Sequence, residues 1–217
     1  MCSSDLMGCK PDYLRVDLYT SDYASVLNGE AITVPVEMKF SGHVSDENDD
    51  LQKIIQISKK YLGKTAEYTR SNGDLGDEVI VIKSQLPMAL ETHLSLHLNK
   101  LENKNLPMGL ALNSKNFSVY LVTTEALERF NQELSVVNFM LTVEMIPETL
   151  TYNVVSDERT RYQVVGHAVF VNGKPHLKFT KFLDRRESVA VDFSGEDGSI
   201  WKSADLRPSI TIIPETK

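Results

Sequence analysis

Two pairs of histidines have spacings that could allow metal binding, since two imidazoles close to each other can hold a metal ion. His93 and His97 would share one face of a helix, but on a strand they lie roughly 13 Å apart. The segment alternates apolar and polar residues, so we predict a strand and no shared metal. His167 and His176 would be diagonal neighbours across a predicted hairpin. No Asp, Glu or Cys lies near them in the sequence, so we predict surface histidines and keep the pair only as metal-ligand candidates.

Catalytic motifs are missing from the sequence. It contains no Gly-rich phosphate loop, no His-Glu-x-x-His and no Gly-x-Ser-x-Gly. The two cysteines, Cys2 and Cys9, both lie within the first nine residues, which argues against a cysteine nucleophile. We therefore predict a protein without enzymatic activity and without a cofactor. An active site assembled from scattered residues is the third-ranked alternative.

A basic, aromatic-containing segment follows the centre of the predicted hairpin. Its cations are Lys174, Lys178, Lys181, Arg185 and Arg186. Phe179 and Phe182 are interleaved with them, a pattern that can bind single-stranded nucleic acid. Alternation, however, puts Phe179 with Phe170 and Leu177 on the predicted core face. We expect a solvated hairpin face, and the functional alternative is contact with an acidic protein or with phospholipid headgroups.

The remaining partner candidate is Trp201, which lies in a Gly- and Asp-containing loop and suits a protein contact. The alternative is that Trp201 covers the edge of the core. The chain of 217 residues carries a net charge of −7, which disfavours nucleic acid and a broad electrostatic attraction to anionic lipid. No apolar run is long enough to span a bilayer.

The N-terminus contains the four residues Leu6-Met7-Gly8-Cys9. They resemble the lipobox of bacterial lipoproteins, in which the Cys is acylated and becomes the first residue. The resemblance implies a lipid on Cys9 and a short tether before the folded chain. A secretory signal also needs a basic region and an apolar region, and residues 1–8 supply neither. The alternative is therefore a cytoplasmic N-terminus with an incidental Cys.

The hydrophobic pattern predicts about ten strands and two or three helices. Strands are predicted at 13–20, 32–40, 78–83, 90–98, 116–122, 136–146, 151–155, 161–171, 174–183, 189–193 and 209–213, and helices within 21–29, 45–63 and 124–134. Pro87 is expected to break the chain. Asn172-Gly173 fits a two-residue type I′ turn, so the strands beside it make the clearest hairpin.

Similar segments in the two halves of the sequence suggest an internal duplication, called the internal echo below. Residues 16–22 resemble residues 119–125, and the triplet at 36–38 recurs at 143–145. We interpret these segments as two related strand–helix–strand units, the alternative being chance recurrence of a common pattern.

These patterns together predict an α+β fold with antiparallel-rich sheets. The predicted organisation is a tether at 1–12, a first half at 13–112 and a second half at 113–217, packed as one unit. The leading functional hypothesis is a non-enzymatic binding or structural lipoprotein. It would be held by Cys9 at the periplasmic face of a bacterial membrane and act through protein contacts. The alternative is a cytoplasmic interaction or assembly protein without lipid, a class that includes proteins encoded by mobile elements.

Overall fold

Strands dominate the folded chain. The computed structural model describes residues 13–42, 50–63, 66–72, 78–94, 105–137, 149–194 and 208–215. The strands are β1 (Tyr13–Tyr19), β2 (Ile32–Gly42), β3 (Glu67–Asn72), β4 (Glu78–Leu90), β5 (Met108–Asn113), β6 (Ser118–Thr123), β7 (Thr149–Val155), β8 (Tyr162–Val171), β9 (Lys174–Leu183), β10 (Ser188–Ser194) and β11 (Ser209–Pro214). The helices are α1 (Thr20–Leu27), α2 (Asp50–Leu62) and α3 (Ala126–Val137).

The predicted α+β class is wrong, because nine strands close into a β-barrel. Neighbouring strands follow the order β10-β7-β1-β2-β4-β5-β6-β11-β8, and β8 pairs back to β10 through Phe170 and Asp192. Strands β3 and β9 lie outside this ring, on the edges of β4 and β8. Strands of 13–112 form one arc and strands of 113–217 the other. The three predicted helices are present. The alternation of residues along single strands, however, does not show whether the sheet they form closes on itself.

The barrel is built from strands whose side chains alternate between its interior and its exterior. In β1, Leu14, Val16 and Leu18 are buried while Arg15 and Tyr19 are exposed. Strands β7 and β10 repeat this pattern. The inward rows merge into one main hydrophobic core, and each fully buried large apolar side chain contributes about 1.5–3 kcal/mol of transfer free energy.

The three helices pack against this core through short apolar stripes. In α1, Tyr23 and Val26 are buried three residues apart, on one helical face. Helices α2 and α3 contact each other, with the rings of Tyr61 and Phe130 5.0 Å apart. The amide of Ala126 donates to Thr124 Oγ1 at 3.1 Å, so Thr124 caps α3 at the start of the helix predicted within 124–134.

The corner of the barrel lies in β8, at Ala168. Tyr162, Val164 and Gly166 are buried, and after the corner Val169 and Val171 are buried, so the inward side changes from even to odd residues. Ala168 has a φ of 51°, a left-handed conformation that is unusual for a non-glycine residue. Before this corner β8 pairs with β11, and beyond it β8 pairs with β10.

Several predicted elements are corrected. Strand β4 continues through Pro87, where it pairs with β2, and ends at Leu90; the amide of His93 then closes a turn onto Leu90. Pro87 is flanked by strands on both sides, by Thr33 of β2 and by Gly109 of β5, where an added Cβ would approach the Pro87 ring and carbonyl oxygen to 3.2 Å. The strand predicted from Val136 is wrong at its start, since α3 runs to Val137.

The internal echo is described in part. Strand β1 leads into α1 and then into β2, and β6 leads into α3. The last element of the second unit, at 143–145, lies outside the described residues, as do residues 45–49 of the second predicted helix and most of the strand predicted at 90–98. The duplication therefore stays a prediction.

Candidate functional site

Strand β9 of the β8–β9 hairpin lies outside the barrel ring, because it pairs with β8 alone among the described strands. Its turn is the predicted type I′ turn: Asn172 and Gly173 have φ values of 52° and 72°. The predicted register is also confirmed, with Val169 opposite His176 and His167 opposite Lys178. The hairpin therefore presents a strand whose second edge has no neighbour within the described part of the chain.

Apolar side chains are exposed along this hairpin. Phe170, Leu177 and Phe182 are 36%, 92% and 40% exposed, and they are three of the five large exposed hydrophobics in the described ranges. The prediction that Phe170 and Leu177 face the core is wrong. The inward side reverses at Ala168, so of this group Phe179 packs against the core while Phe170 and Leu177 face solvent.

The basic residues predicted as one cluster are spread along the whole hairpin. Lys174 is beside the turn, Lys178 is exposed near the middle, and Lys181 donates to the carbonyl oxygen of Ser188 at 3.2 Å. The last two, Arg185 and Arg186, are exposed in the turn that follows β9. Between Lys174 and Arg185 the chain rises by roughly 35 Å. The arrangement is therefore a basic strip rather than a compact pocket.

Arg161 is a residue of this surface that the sequence reasoning missed. Its guanidinium lies 4.7 Å from the centre of the Phe182 ring and pairs with Asp184 at 3.2 Å and Glu215 at 3.9 Å. These exposed ion pairs contribute little to stability, but the stacked cation restrains the aromatic ring. Extending the hairpin register by one pair would have placed Arg161 opposite Asp184, so the signal was present.

The two hairpin histidines are not brought together. His167 is exposed beside Lys178, whereas His176 is half-buried with its ring 5.5 Å from that of Phe179. The reversal at Ala168 puts them on opposite faces of the hairpin. Within the described ranges, no three His, Cys, Asp or Glu side chains are grouped so as to hold a metal. Cys9, His97 and Trp201 lie outside the described residues.

A second polar cluster forms where the parallel strands β1 and β7 end side by side. Asp157 accepts hydrogen bonds from the Thr20 hydroxyl at 2.9 Å, the Ser21 amide at 2.9 Å and the Ser21 hydroxyl at 2.5 Å. Residue Tyr19, at the N-cap of α1, makes no side-chain bond to the helix. Asp157 thus caps a helix that is 137 positions away in sequence.

The pKa values of the two carboxyl groups in this cluster, Asp157 and Asp22, are shifted in opposite directions. Burial alone would raise the pKa of Asp157, but the bonds from Ser21 and Thr20 outweigh burial and hold this pKa below its ordinary value of 3.8. Burial, followed by the negative charge of Asp157, raises the pKa of Asp22. Donors from the first turn of α1 bond to both carboxylate oxygens of Asp157, so we assign it a structural role as the helix cap.

A shallow depression of about 300 Å³ lies on the outer face of β10, β7, β1 and β2. Its side chains bond to each other: Arg15 pairs with Asp17 at 3.0 Å, Asn153 donates to Asp17 at 2.7 Å, and Glu37 accepts from Tyr13. Because these groups already satisfy each other, the depression offers no focused binding chemistry.

We expect Asp157→Ala to lower the free energy of unfolding by about 0.5–2 kcal/mol at neutral pH, the usual cost of losing a helix cap. Because the pKa of Asp157 is lowered in the fold, its contribution is present above pH 3.8 and disappears as pH falls through the folded pKa. Denaturant unfolding at neutral pH and at acid pH measures both effects.

The matched control is Asp184→Ala, which removes an exposed carboxylate from a turn. A cost no larger for Asp157→Ala than for Asp184→Ala would refute the capping role. So would a difference between wild type and Asp157→Ala that persists below the folded pKa.

No helix in the described ranges is long and apolar enough to cross a membrane. No curated protein matches the sequence. One family model does match, over residues 14–195, and its description is a domain of unknown function, DUF7424. This match covers all but the first residue of β1, the strands from β2 to β10 and the whole β8–β9 hairpin, so the chain belongs to the DUF7424 family.

Proposed function

We propose that the protein is a non-enzymatic binding protein that acts through protein contacts made by the β8–β9 hairpin. The observation that carries the proposal is the exposure of Phe170, Leu177 and Phe182 on a hairpin whose second strand, β9, lies outside the barrel ring. Large apolar side chains exposed along one hairpin are typical of interaction surfaces.

The energetics of the hairpin favour binding. Burying Leu177, now 92% exposed, would contribute about 1.5–3 kcal/mol to a complex. Phe182 is already held under the Arg161 guanidinium, so less side-chain entropy is lost when a partner covers it. The hairpin's own attachment to the barrel through β8 gives the surface a rigid base.

The proposal includes a lipid anchor on Cys9, supported by the lipobox-like residues 6–9. An anchored protein of this kind would present its hairpin to other proteins at the periplasmic face of a bacterial membrane. The alternative, a cytoplasmic interaction or assembly protein that includes one of mobile-element origin, uses the same hairpin without lipid.

Lipidation has a direct test. Expressed from its native gene with the natural upstream region, the protein should carry the mass of a diacyl or triacyl modification at Cys9 and partition into detergent. Cys9→Ser should abolish both, whereas Cys2→Ser should abolish neither. An unmodified wild-type chain in the aqueous phase would favour the cytoplasmic alternative.

The binding surface is tested by photo-crosslinking in cells that express the protein from its native gene. A photoreactive residue at position 178 should give a defined adduct that Leu177→Ser and Phe182→Ser each weaken severalfold, since hydrophobic anchors dominate binding. Val136→Ser is the matched control, because Val136 is 86% exposed on α3 and away from the hairpin.

Two outcomes would contradict the proposal. One is that position 178 gives no adduct, while a photoreactive residue at position 128 on α3 does. The other is an adduct that Val136→Ser weakens as much as Leu177→Ser.

A further inference from the structure

We propose that β9 accepts an acidic, extended segment of a partner protein as an added strand along its free edge. This inference depends on the proposed function, that the hairpin binds protein, and goes further by assigning the partner's backbone conformation and charge. Three observations carry it: the direction of the backbone groups of β9, the charge of β9, and the exposed side chains beside the edge.

The first step is the hydrogen-bonding direction in β8. The amide of Glu215 donates to the carbonyl of Arg161 at 2.8 Å, and this pair continues the register between β8 and β11. Odd-numbered residues in the first half of β8 therefore direct their backbone groups to β11. Because these directions alternate along a strand, the even-numbered residues bond to β9.

The second step transfers this alternation to β9. Gly166 and Val164 of β8 stand opposite Phe179 and Lys181, so Phe179 and Lys181 exchange hydrogen bonds with β8. The backbone N–H and C=O groups of Thr180 and Phe182 must then point away from β8. Among the described strands none lies on that side, so this edge is a template for another strand.

The charge of β9 selects the partner. Residues 174–183 contain three lysines and no acidic residue, in a chain whose net charge is −7. The basic strip thus opposes the charge of the rest of the protein. An incoming strand with Asp or Glu at alternate positions would place a carboxylate beside the exposed Lys178, and cross-strand pairs of opposite charge are favourable.

A second copy of the chain fits this edge poorly. Pairing β9 with β9 would bring two lysine-rich strands together, and like charges directly opposite are destabilising. Lysines on an edge strand are a known protection against self-association. An anionic lipid surface would match the charge, but its phosphates lack the alternating N–H and C=O groups that would pair with both kinds of backbone group on Thr180 and Phe182.

The test uses the full chain and two labelled peptides, one alternating Glu and Val and one alternating Lys and Val. Fluorescence anisotropy should show that the Glu–Val peptide binds, that added salt weakens it, and that the Lys–Val peptide does not bind. On addition of the Glu–Val peptide, the amides of Thr180 and Phe182 should gain protection from hydrogen exchange.

Variants separate backbone pairing from side-chain contact. Thr180→Pro removes one outward N–H and should weaken the Glu–Val peptide about tenfold, whereas Thr180→Ala keeps this N–H and should have little effect. Proline is tolerated where the N–H faces solvent at a sheet edge, and a melting curve verifies that the variant folds. Lys178→Glu should weaken the peptide, while the control Lys115→Glu, in the β5–β6 turn, should not.

Several results would overturn strand addition: no binding of the Glu–Val peptide, equal effects of Thr180→Pro and Thr180→Ala, or binding of anionic vesicles but not of the peptide. If Thr180→Pro does not fold, the test rests on the wild-type chain, where strand addition requires the Glu–Val peptide to protect the amides of Thr180 and Phe182 from exchange. The photo-crosslink at position 178 remains a separate test. A crosslink that depends on Leu177 without peptide binding would leave the proposed function standing and refute the added strand.

Discussion

Closure of the barrel depends on β8, which must pair with β11 over its first half and reach β10 beyond it. A regular strand would keep the same residues inward along its whole length. The left-handed residue Ala168 breaks this rule and lets Val169 enter the core after Gly166. The free-energy cost of strain at one non-glycine residue is small compared with the stabilisation from the apolar surface that a closed barrel buries.

The same corner creates the candidate site. Because β8 uses one edge for both β11 and β10, its other edge is left for β9, which stays outside the ring. The reversal at Ala168 also turns Phe170 and Leu177 toward solvent while Phe179 packs inward. A structural requirement of the barrel thus produces an edge strand with exposed apolar and basic side chains, and the proposed protein contacts depend on both.

Local signals in the sequence predicted local structure well. Asn172-Gly173 fixed the turn and hence the register of the hairpin, and Thr124 marked the start of α3. Features that depend on distant partners were not predictable. Closure through Phe170 and Asp192 is one, and the capping of α1 by Asp157 is another. The prediction that Phe170 and Leu177 face the core was wrong because the alternation of residue types does not reveal a single left-handed residue such as Ala168.

Amide hydrogen exchange of the free protein, followed by NMR, tests the account most directly. The pairing of β8 with both β11 and β9 requires the amides of Phe179 and Lys181 to be protected by β8 and those of Thr180 and Phe182 to exchange rapidly. This alternation would establish β9 as a strand with one free edge. Equal protection of all four amides would show that the second edge is already covered, and would contradict both the free edge of β9 and the binding site proposed on it.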